Sequence, residues 1–539
     1  MTRMTGGDAI VETLLRHGID TVFGLPGVQT YGLFDAIARN TNRLRLINAR
    51  HEQATAYMAL GHACATGEPA VFSVVPGPGV MNTSAALVTA WSVNAPVLCL
   101  TGQVPSHMIG RGRGQLHEMP DQLATLRTFV KWAARIEHPS EASDLVARAF
   151  REMRSGRPGP VALEMPWDQF AAQAEVGIAD PLPLHPVPVP DPERIAALAG
   201  LIDRAKGPML WVGGGALEAG PEVKALAERI GAPVVSYRCG RGIVDDRHPL
   251  ALMSAAGLRL WPEVDLLIGI GTRLDVPFSR WPAAPAGLRI ARIDIDPSEL
   301  RRLRLDVGIV ADAKAGAAAL LAAVAPAERA TWRGAVARAK AEAAEAIKEV
   351  QPQMSFLEAI REVLPEDGIL CDEMTQVGYV SWFGFPFHAP RTLITSGFSG
   401  TLGAGFPTAL GVKVAHPDRA VVSVTGDGGF LFAGVELATA MQHGINLVTV
   451  LFNNSSYGNV LRDQRRLYAG RDAGAALRNP DFQAFAASFG VPSWRATDAA
   501  GLKGALAEAL AAGKPALVEV MTDITKEAEP WRFLAPGRA

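Results

Sequence analysis

Two uninterrupted apolar runs, RAVVSVT at 419–425 and NLVTVLF at 446–452, constrain the fold of this chain more than any other feature. Neither run alternates with polar residues, as a strand with one wet face would. Such β-branched runs belong to parallel strands whose two faces are both covered by helices. Between them, FAGVELATAMQHG (432–444) has apolar residues at helical spacing and a closing glycine. The unit reads as βαβ, so both strands end at the same edge of one sheet. GDGG (426–429) and NNSSYG (453–458) follow those ends, and Asp427 and Asn454 are expected side by side. That edge, beyond the carboxyl ends of the strands, is where open α/β sheets bind ligands.

Asp427 supplies a hard anionic oxygen and Asn454 a neutral one. With a loop carbonyl they suit a Mg²⁺ that keeps a water and takes oxygens from a diphosphate. Gly426, Gly428 and Gly429 let the backbone approach phosphate, and the helix N-terminus that follows favours its charge. Taken singly, GDGG and NN are equally well explained as turns.

The strand–helix alternation recurs along the chain. Residues 1–172 contain TVFGLPG, LRLINA, a helix from Glu52, AVFSVV, a helix after PGPG, and APVLCLTG. MTRMTGGDAIVETLLRHGID, at the start, reads as an amphipathic helix. PLPLHPVPVPDP (181–192) is too proline-rich for helix or interior strand and reads as a stiff, extended linker. A second α/β region, 190–325, has GPMLWVGGG, APVVSY, VDLLIGIG and LRIARIDID as strands. The alanine-rich WRGAVARAKAEAAEAIKEV (332–350) then bridges to a third region, 350–539. The expected fold is α/β with three doubly wound domains, the outer two alike in size and the middle one different. VGGGALEAG (212–220) follows a strand but lacks GxGxxG spacing; it is either a phosphate cradle or a tight turn.

A net charge of −2, with no basic stretch interleaved with aromatics, argues against nucleic acid or an anionic membrane as partner. Cys64, Cys99, Cys239 and Cys371 are far apart and form no CxxC, so neither a structural zinc nor a disulfide framework is expected. A cytoplasmic protein is expected, since no signal-peptide core or membrane-length apolar run is present.

NARHEQATAYMALGHACATG (48–67) places Glu52 at the first turn of a helix, where an acid is also an ordinary favourable start. In chain order, GLPG (24–27), RHEQA (50–54), GDG (426–428) and NN (453–454) resemble the thiamine-diphosphate-dependent 2-oxoacid decarboxylases and carboligases. The likeness is to the acetolactate-synthase-like branch, and TGQVPSHMIG (101–110) and SGTLGAGFPTALG (399–411) extend it over essentially the whole chain. The resemblance implies that the first domain binds the aminopyrimidine of the cofactor and the last its diphosphate, through Mg²⁺. In some members the middle domain carries FAD or another nucleotide. Glu52 is implied to exchange a proton with the pyrimidine ring nitrogen, with burial raising its pKa to keep that proton available. Leu402 aligns with an apolar residue that wedges between the cofactor rings, although it also reads as an ordinary core leucine. Asp427, Asn454 and the carbonyl of Ser456 take the metal-ligand places. Gly27, Thr375, Gln376, Gly426, Gly428, Gly429 and Gly458 fall in cofactor-binding loops. A homodimer is implied, alone or paired into a tetramer, in which Glu52 of one subunit serves a cofactor held by Asp427 and Asn454 of the other.

The sequence also departs from the family. The synthases carry a tryptophan beyond the NN pair that helps select the second 2-oxoacid; Asp463 stands there instead. An acid offers no apolar wall and repels an incoming carboxylate, unless it is simply a solvent-facing helix residue. RGRGQLHEMPDQ (111–122) replaces a glutamine-bearing segment that faces the substrate. His117 or Glu118 enters the site there, with His117 the better proton donor near neutral pH, or both lie on the surface. Arg273 in GTRLD is left with a flavin phosphate, a substrate carboxylate or a plain ion pair, while the DVPFSRW that follows departs from the flavin-associated segment. The His-His pair of pyruvate-type decarboxylases is absent. The expected function is a lyase or transferase that makes or breaks a C–C bond beside a carbonyl of a small 2-oxo substrate. It is acetolactate-synthase-like without being a true acetolactate synthase. The alternatives are a decarboxylase of benzoylformate type and a catalytically silent nucleotide-binding regulator, although the latter would have been free to lose Glu52 and Asp427.

Overall fold

Three parallel six-stranded sheets flanked by helices follow one another in the computed structural model, which describes residues 1–536. The first sheet runs, in spatial order, Arg45–Asn48, Thr21–Gly24, Ala70–Val74, Val97–Gln103, Val161–Pro166, Trp132–Arg135. The third runs Leu393–Ile394, Ile369–Cys371, Val421–Gly426, Val448–Asn453, Ala516–Met521, Ser493–Ala496. Numbered within its own sheet, each has the order 2-1-3-4-6-5, so the outer sheets share one topology. The middle sheet runs Ala251–Met253, Val234–Ser236, Pro208–Val212, Leu266–Ile270, Arg289–Asp294, Val307–Val310, which is 3-2-1-4-5-6. That is the order of dinucleotide-binding sheets. The apolar runs behave as their composition requires: residues 421–425 and 448–453 are buried throughout and pair in parallel, Val422 opposite Val448.

Local structure differs from the sequence expectation in two places. Thr2–Thr5 forms a strand antiparallel to Gln173–Val176, and the first helix is only Gly6–Arg16, started by a capping box between Thr5 and Asp8. The run 432–444 is a 3-10 turn, Gly434–Glu436, followed by a short helix, Leu437–His443, that Gly444 ends at φ 62°. A tertiary contact takes its first turn: the buried Glu436 carboxylate accepts from the backbone N–H of Arg50 and His51, both at 3.0 Å. The bridging helix is Ala330–Ile347, and no helix or strand lies between Val176 and Pro192.

Helix Glu52–Thr66 of the first domain crosses helix Gly405–Ala415 of the last at two glycines. A Cβ on Gly61 would lie 1.9 Å from the Thr408 carbonyl oxygen, and one on Gly411 would lie 1.9 Å from that of Met58. The two backbones therefore touch, and one apolar cluster runs across both domains. Together with Glu436, this crossing fixes the helix that begins at Glu52 against the domain that carries Asp427. Among the described residues all four cysteines are free, and no helix is long and apolar enough to cross a membrane.

Candidate active site

The strands Val421–Gly426 and Val448–Asn453 are neighbours, with Gly426 opposite Phe452, and their ends deliver two loops to one place. Asp427, 2 % exposed, accepts from Asn479 Nδ2 at 2.7 Å, and the backbone N–H groups of Gly428 and Asn454 lie near enough to favour its charge. Burial pushes its pKa up, and these donors pull it part of the way back. All of them are neutral. A buried carboxylate surrounded by neutral donors still lacks a counter-charge, which a bound cation would supply. The available oxygens suit a hard one. Asn454 Oδ1 accepts from Ser456 N at 3.2 Å and Ser456 Oγ at 2.9 Å, so Asn454 and Ser456 share one turn beside Asp427. Ser455 between them is left-handed at φ 54°. Asn453 has a structural part: its Nδ2 donates to the buried Glu519 at 2.8 Å and its Oδ1 accepts from Asn479 at 3.0 Å.

The glycines of this corner are required by its own packing. A Cβ on Gly428 would sit 2.5 Å from the Tyr457 ring, one on Gly429 2.2 Å from Glu373 Oε1, and one on Gly458 2.8 Å from Asn454 Nδ2. Gly426 is freer, with Thr375 Cγ2 at 3.2 Å. Thr375 caps helix Gln376–Gly384, its hydroxyl accepting from Gly378 N at 2.8 Å. Gln376 is buried; its Oε1 has no partner and its Nε2 reaches Asn459 at 3.4 Å.

Two acids that the sequence reading passed over lie beneath the site. Glu373 is buried and accepts from the Thr425 hydroxyl and the Gly403 N–H, tying together the ends of three loops. Its neighbour Asp372 accepts from the Trp382 indole N–H. Burial pushes both carboxyls up to about 7. The available signal was the pair DE directly after the apolar run ILC, at the end of a buried strand.

On the other side, Glu52 is half-buried and its carboxylate accepts from Asn82 Nδ2 at 3.0 Å. In this single chain it is not enclosed as the sequence reading expected. Leu402 is half-buried, just before Gly403 at φ 78°. Gly27 is forced by Val75, whose Cγ1 would lie 2.3 Å from an added Cβ. His117 is left-handed at φ 65°, and its Nδ1 lies 3.1 Å from Oε1 of the buried Gln29, two residues from Gly27. Glu118 spends both oxygens on its own loop, accepting from Gly112 N at 3.1 Å and Gln115 N at 2.9 Å. Asp463, on helix Gly458–Leu467, pairs with Arg466 at 3.2 Å and is partly exposed. Arg273 pairs with the buried Glu299 at 3.5 Å and lies over the Phe398 ring at 4.5 Å.

Around these loops several large apolar side chains remain exposed: Met81, Val88 and Trp91 on helix Pro78–Val93, Phe398, and Leu431, Phe432 and Val435 after the GDG turn.

Residues 4–125, 195–320 and 374–520 match families described as "Thiamine pyrophosphate enzyme", respectively its N-terminal TPP binding domain, central domain and C-terminal TPP binding domain. The "Probable 2-ketoarginine decarboxylase AruI" of Pseudomonas aeruginosa is 34% identical, over 90% of this chain and 88% of that protein. The "Probable acetolactate synthase large subunit" of Methanocaldococcus jannaschii is 35% identical, over 99% of this chain and 94% of that protein. The "Acetolactate synthase isozyme 1 large subunit" of Escherichia coli is 31% identical, over 100% and 97%.

Proposed function

The chain belongs to the thiamine pyrophosphate enzymes, in their acetolactate-synthase-like branch, and from that premise we propose that it decarboxylates a 2-oxoacid larger than pyruvate. The observation that carries the site is Asp427, a buried carboxylate whose strongest partners are neutral, held against Asn454 at the carboxyl edge of the last sheet. Asp427, Asn454 Oδ1 and the Ser456 carbonyl would hold Mg²⁺ and, through it, the diphosphate. When bound, thiamine diphosphate supplies a nucleophilic carbon and a sink for the electron pair released beside a carbonyl. With the cofactor bound, Glu52 would hold a proton at the pyrimidine ring nitrogen and Leu402 would pack against the cofactor. To His117, kept in orientation by Gln29, we assign the transfer of a proton to or from the substrate. Glu118 stabilises the loop that carries it.

The assembly is a homodimer with shared sites. Half-buried Glu52 and the exposed Met81, Trp91, Phe398, Phe432 and Val435 are accounted for together if a second subunit covers this face. Arg273 is engaged by Glu299 and Phe398, and the reaction proposed needs no flavin.

Asp463 offers no apolar wall for a second pyruvate, which favours a single larger 2-oxoacid; its own charge is already paired with Arg466. The relative named as a 2-ketoarginine decarboxylase supports the same choice. The test is to supply Mg²⁺ and thiamine diphosphate with pyruvate, benzoylformate and a guanidino-bearing 2-oxoacid, and to follow CO₂ release and products. CO₂ from the larger acids with little acetolactate is expected. Rapid acetolactate formation would overturn the substrate reading. Cofactor binding without turnover of any 2-oxoacid would favour the silent regulator.

A further inference from the structure

Gln29 is 2% exposed and lies in the 3-10 turn Val28–Thr30, directly after Gly27. Its backbone is pressed against strand Val97–Gln103, where a Cβ on Gly102 would lie 2.5 Å from Gln29 O. Its side chain is spent on the loop that carries His117. Nε2 donates to Leu116 O at 2.9 Å, and Oε1 faces His117 Nδ1 at 3.1 Å. The backbone of His117 is fixed as well. Its left-handed φ of 65° is backed by Gly77, where a Cβ would lie 2.5 Å from His117 O. Gly77 N donates to Gln122 Oε1 at 2.8 Å, and Gln122 Nε2 donates to the buried Glu164 at 2.8 Å. Among the described residues, Nδ1 is the one ring nitrogen of His117 with a hydrogen-bond partner.

These contacts decide which ring nitrogen carries the proton. A carbonyl oxygen only accepts, so Leu116 O requires the NH₂ end of the Gln29 amide, and the amide oxygen is left for the imidazole. That oxygen also only accepts, so Nδ1 must bring the hydrogen. With the proton on Nε2 instead, two lone pairs would face each other at 3.1 Å. Turning the amide over would only move the conflict to Leu116 O. We propose that Gln29 is a positioning residue that holds His117 in its Nδ1–H tautomer, leaving the Nε2 lone pair free to take a proton. Nδ1 donates in the neutral ring and in the cation alike, so the bond to Gln29 survives the change of charge. His117 therefore gains a proton at Nε2, becomes a cation, and returns that proton from Nε2 without turning the ring or the amide. The inference rests on the reading of His117 as the group that moves a proton in the reaction.

The tautomer is read by ¹⁵N NMR under magic-angle spinning, on ¹⁵N-histidine-labelled enzyme loaded with Mg²⁺ and thiamine diphosphate. The pH is set at about 8.5, where an ordinary imidazole is neutral. Couplings to the ring C–H protons tell Nδ1 from Nε2, and His117→Ala identifies the signal by removing it. Wild type should show a protonated Nδ1 and a bare Nε2. A bare Nδ1 overturns the proposal, and that result needs no variant of Gln29. Gln29→Met keeps the length without a polar end. There the Nε2–H form should appear, and kcat should fall about 10-fold with KM little changed, the bias that one hydrogen bond maintains. Gln29→Glu restores an acceptor toward Nδ1 and should keep the wild-type tautomer. A Gln29→Met spectrum identical to wild type, or a Gln29→Glu protein as mixed as Gln29→Met, means Gln29 only anchors the loop and overturns the proposal. If Gln29→Met does not fold, wild type and Gln29→Glu decide by the same spectra. A changed tautomer at unchanged kcat, or wild-type kcat in His117→Ala, removes the proton-transfer reading instead, and the spectra still decide whether Gln29 sets the tautomer.

Discussion

Replacing Gly61 by alanine should damage this protein, although on most helices the same change helps. In an exposed helix interior Gly→Ala adds up to about 1 kcal/mol of stability. At Gly61 the new Cβ would lie 1.9 Å from the Thr408 carbonyl oxygen and 2.8 Å from its carbon. Neither is the tip of a flexible side chain; both belong to the backbone of helix Gly405–Ala415. To restore ordinary contact the two helices must part by roughly 1.5 Å, and overpacking of that kind costs about 1–3 kcal/mol. The displaced helix begins at Glu52, and a shift of about 1 Å at a reacting group can cost on the order of 10²-fold in rate. Gly504→Ala is the matched control, because a Cβ there, on helix Ala499–Ala511, meets nothing within 4 Å. Melting temperature and kcat are measured on both. Gly61→Ala should melt lower and turn over more slowly, while Gly504→Ala should melt at or above wild type with unchanged kcat. A Gly61→Ala protein as stable and active as wild type would show that the crossing is not the rigid joint described.

Asp427→Ala should abolish Mg²⁺-dependent retention of thiamine diphosphate; calorimetry showing wild-type affinity would remove the metal assignment. Glu52→Gln should bind the cofactor nearly normally and react about 10²- to 10⁴-fold more slowly, and wild-type hydrogen exchange at the cofactor's reactive carbon would rule out its role. Co-expressed Glu52→Ala and Asp427→Ala subunits should recover roughly a quarter of wild-type activity, because half the pairs are mixed and each mixed pair has one intact site. No recovery in mixed dimers confirmed by mass spectrometry would refute the shared site. The raised pKa of Asp372, about 7 against an ordinary 3.8, means the folded state holds a proton that the unfolded chain releases. Its contribution, on the order of a few kcal/mol, is therefore present at low pH and lost as pH rises from about 4 through about 7. Asp372→Asn should flatten the fall in melting temperature over that window, and parallel curves for variant and wild type would refute this.

The sequence alone determined whatever follows from short-range pattern. Unbroken β-branched runs separated by helical periodicity leave a strand little choice but burial in a parallel sheet. Strand ends in a βαβ unit must share an edge, and so Asp427 and Asn454 could be paired without coordinates. The resemblance of four short motifs in order indicated the family that the comparisons show. Tertiary structure decided what depends on contacts between distant segments, because such contacts impose no period on the sequence. Nothing local marks Gly61 and Gly411 as a backbone crossing, Glu373 as the acceptor beneath three loops, or Glu436 as a clamp on the start of the Glu52 helix. The same holds for Glu118, a plausible catalytic acid in sequence whose oxygens are used by its own loop.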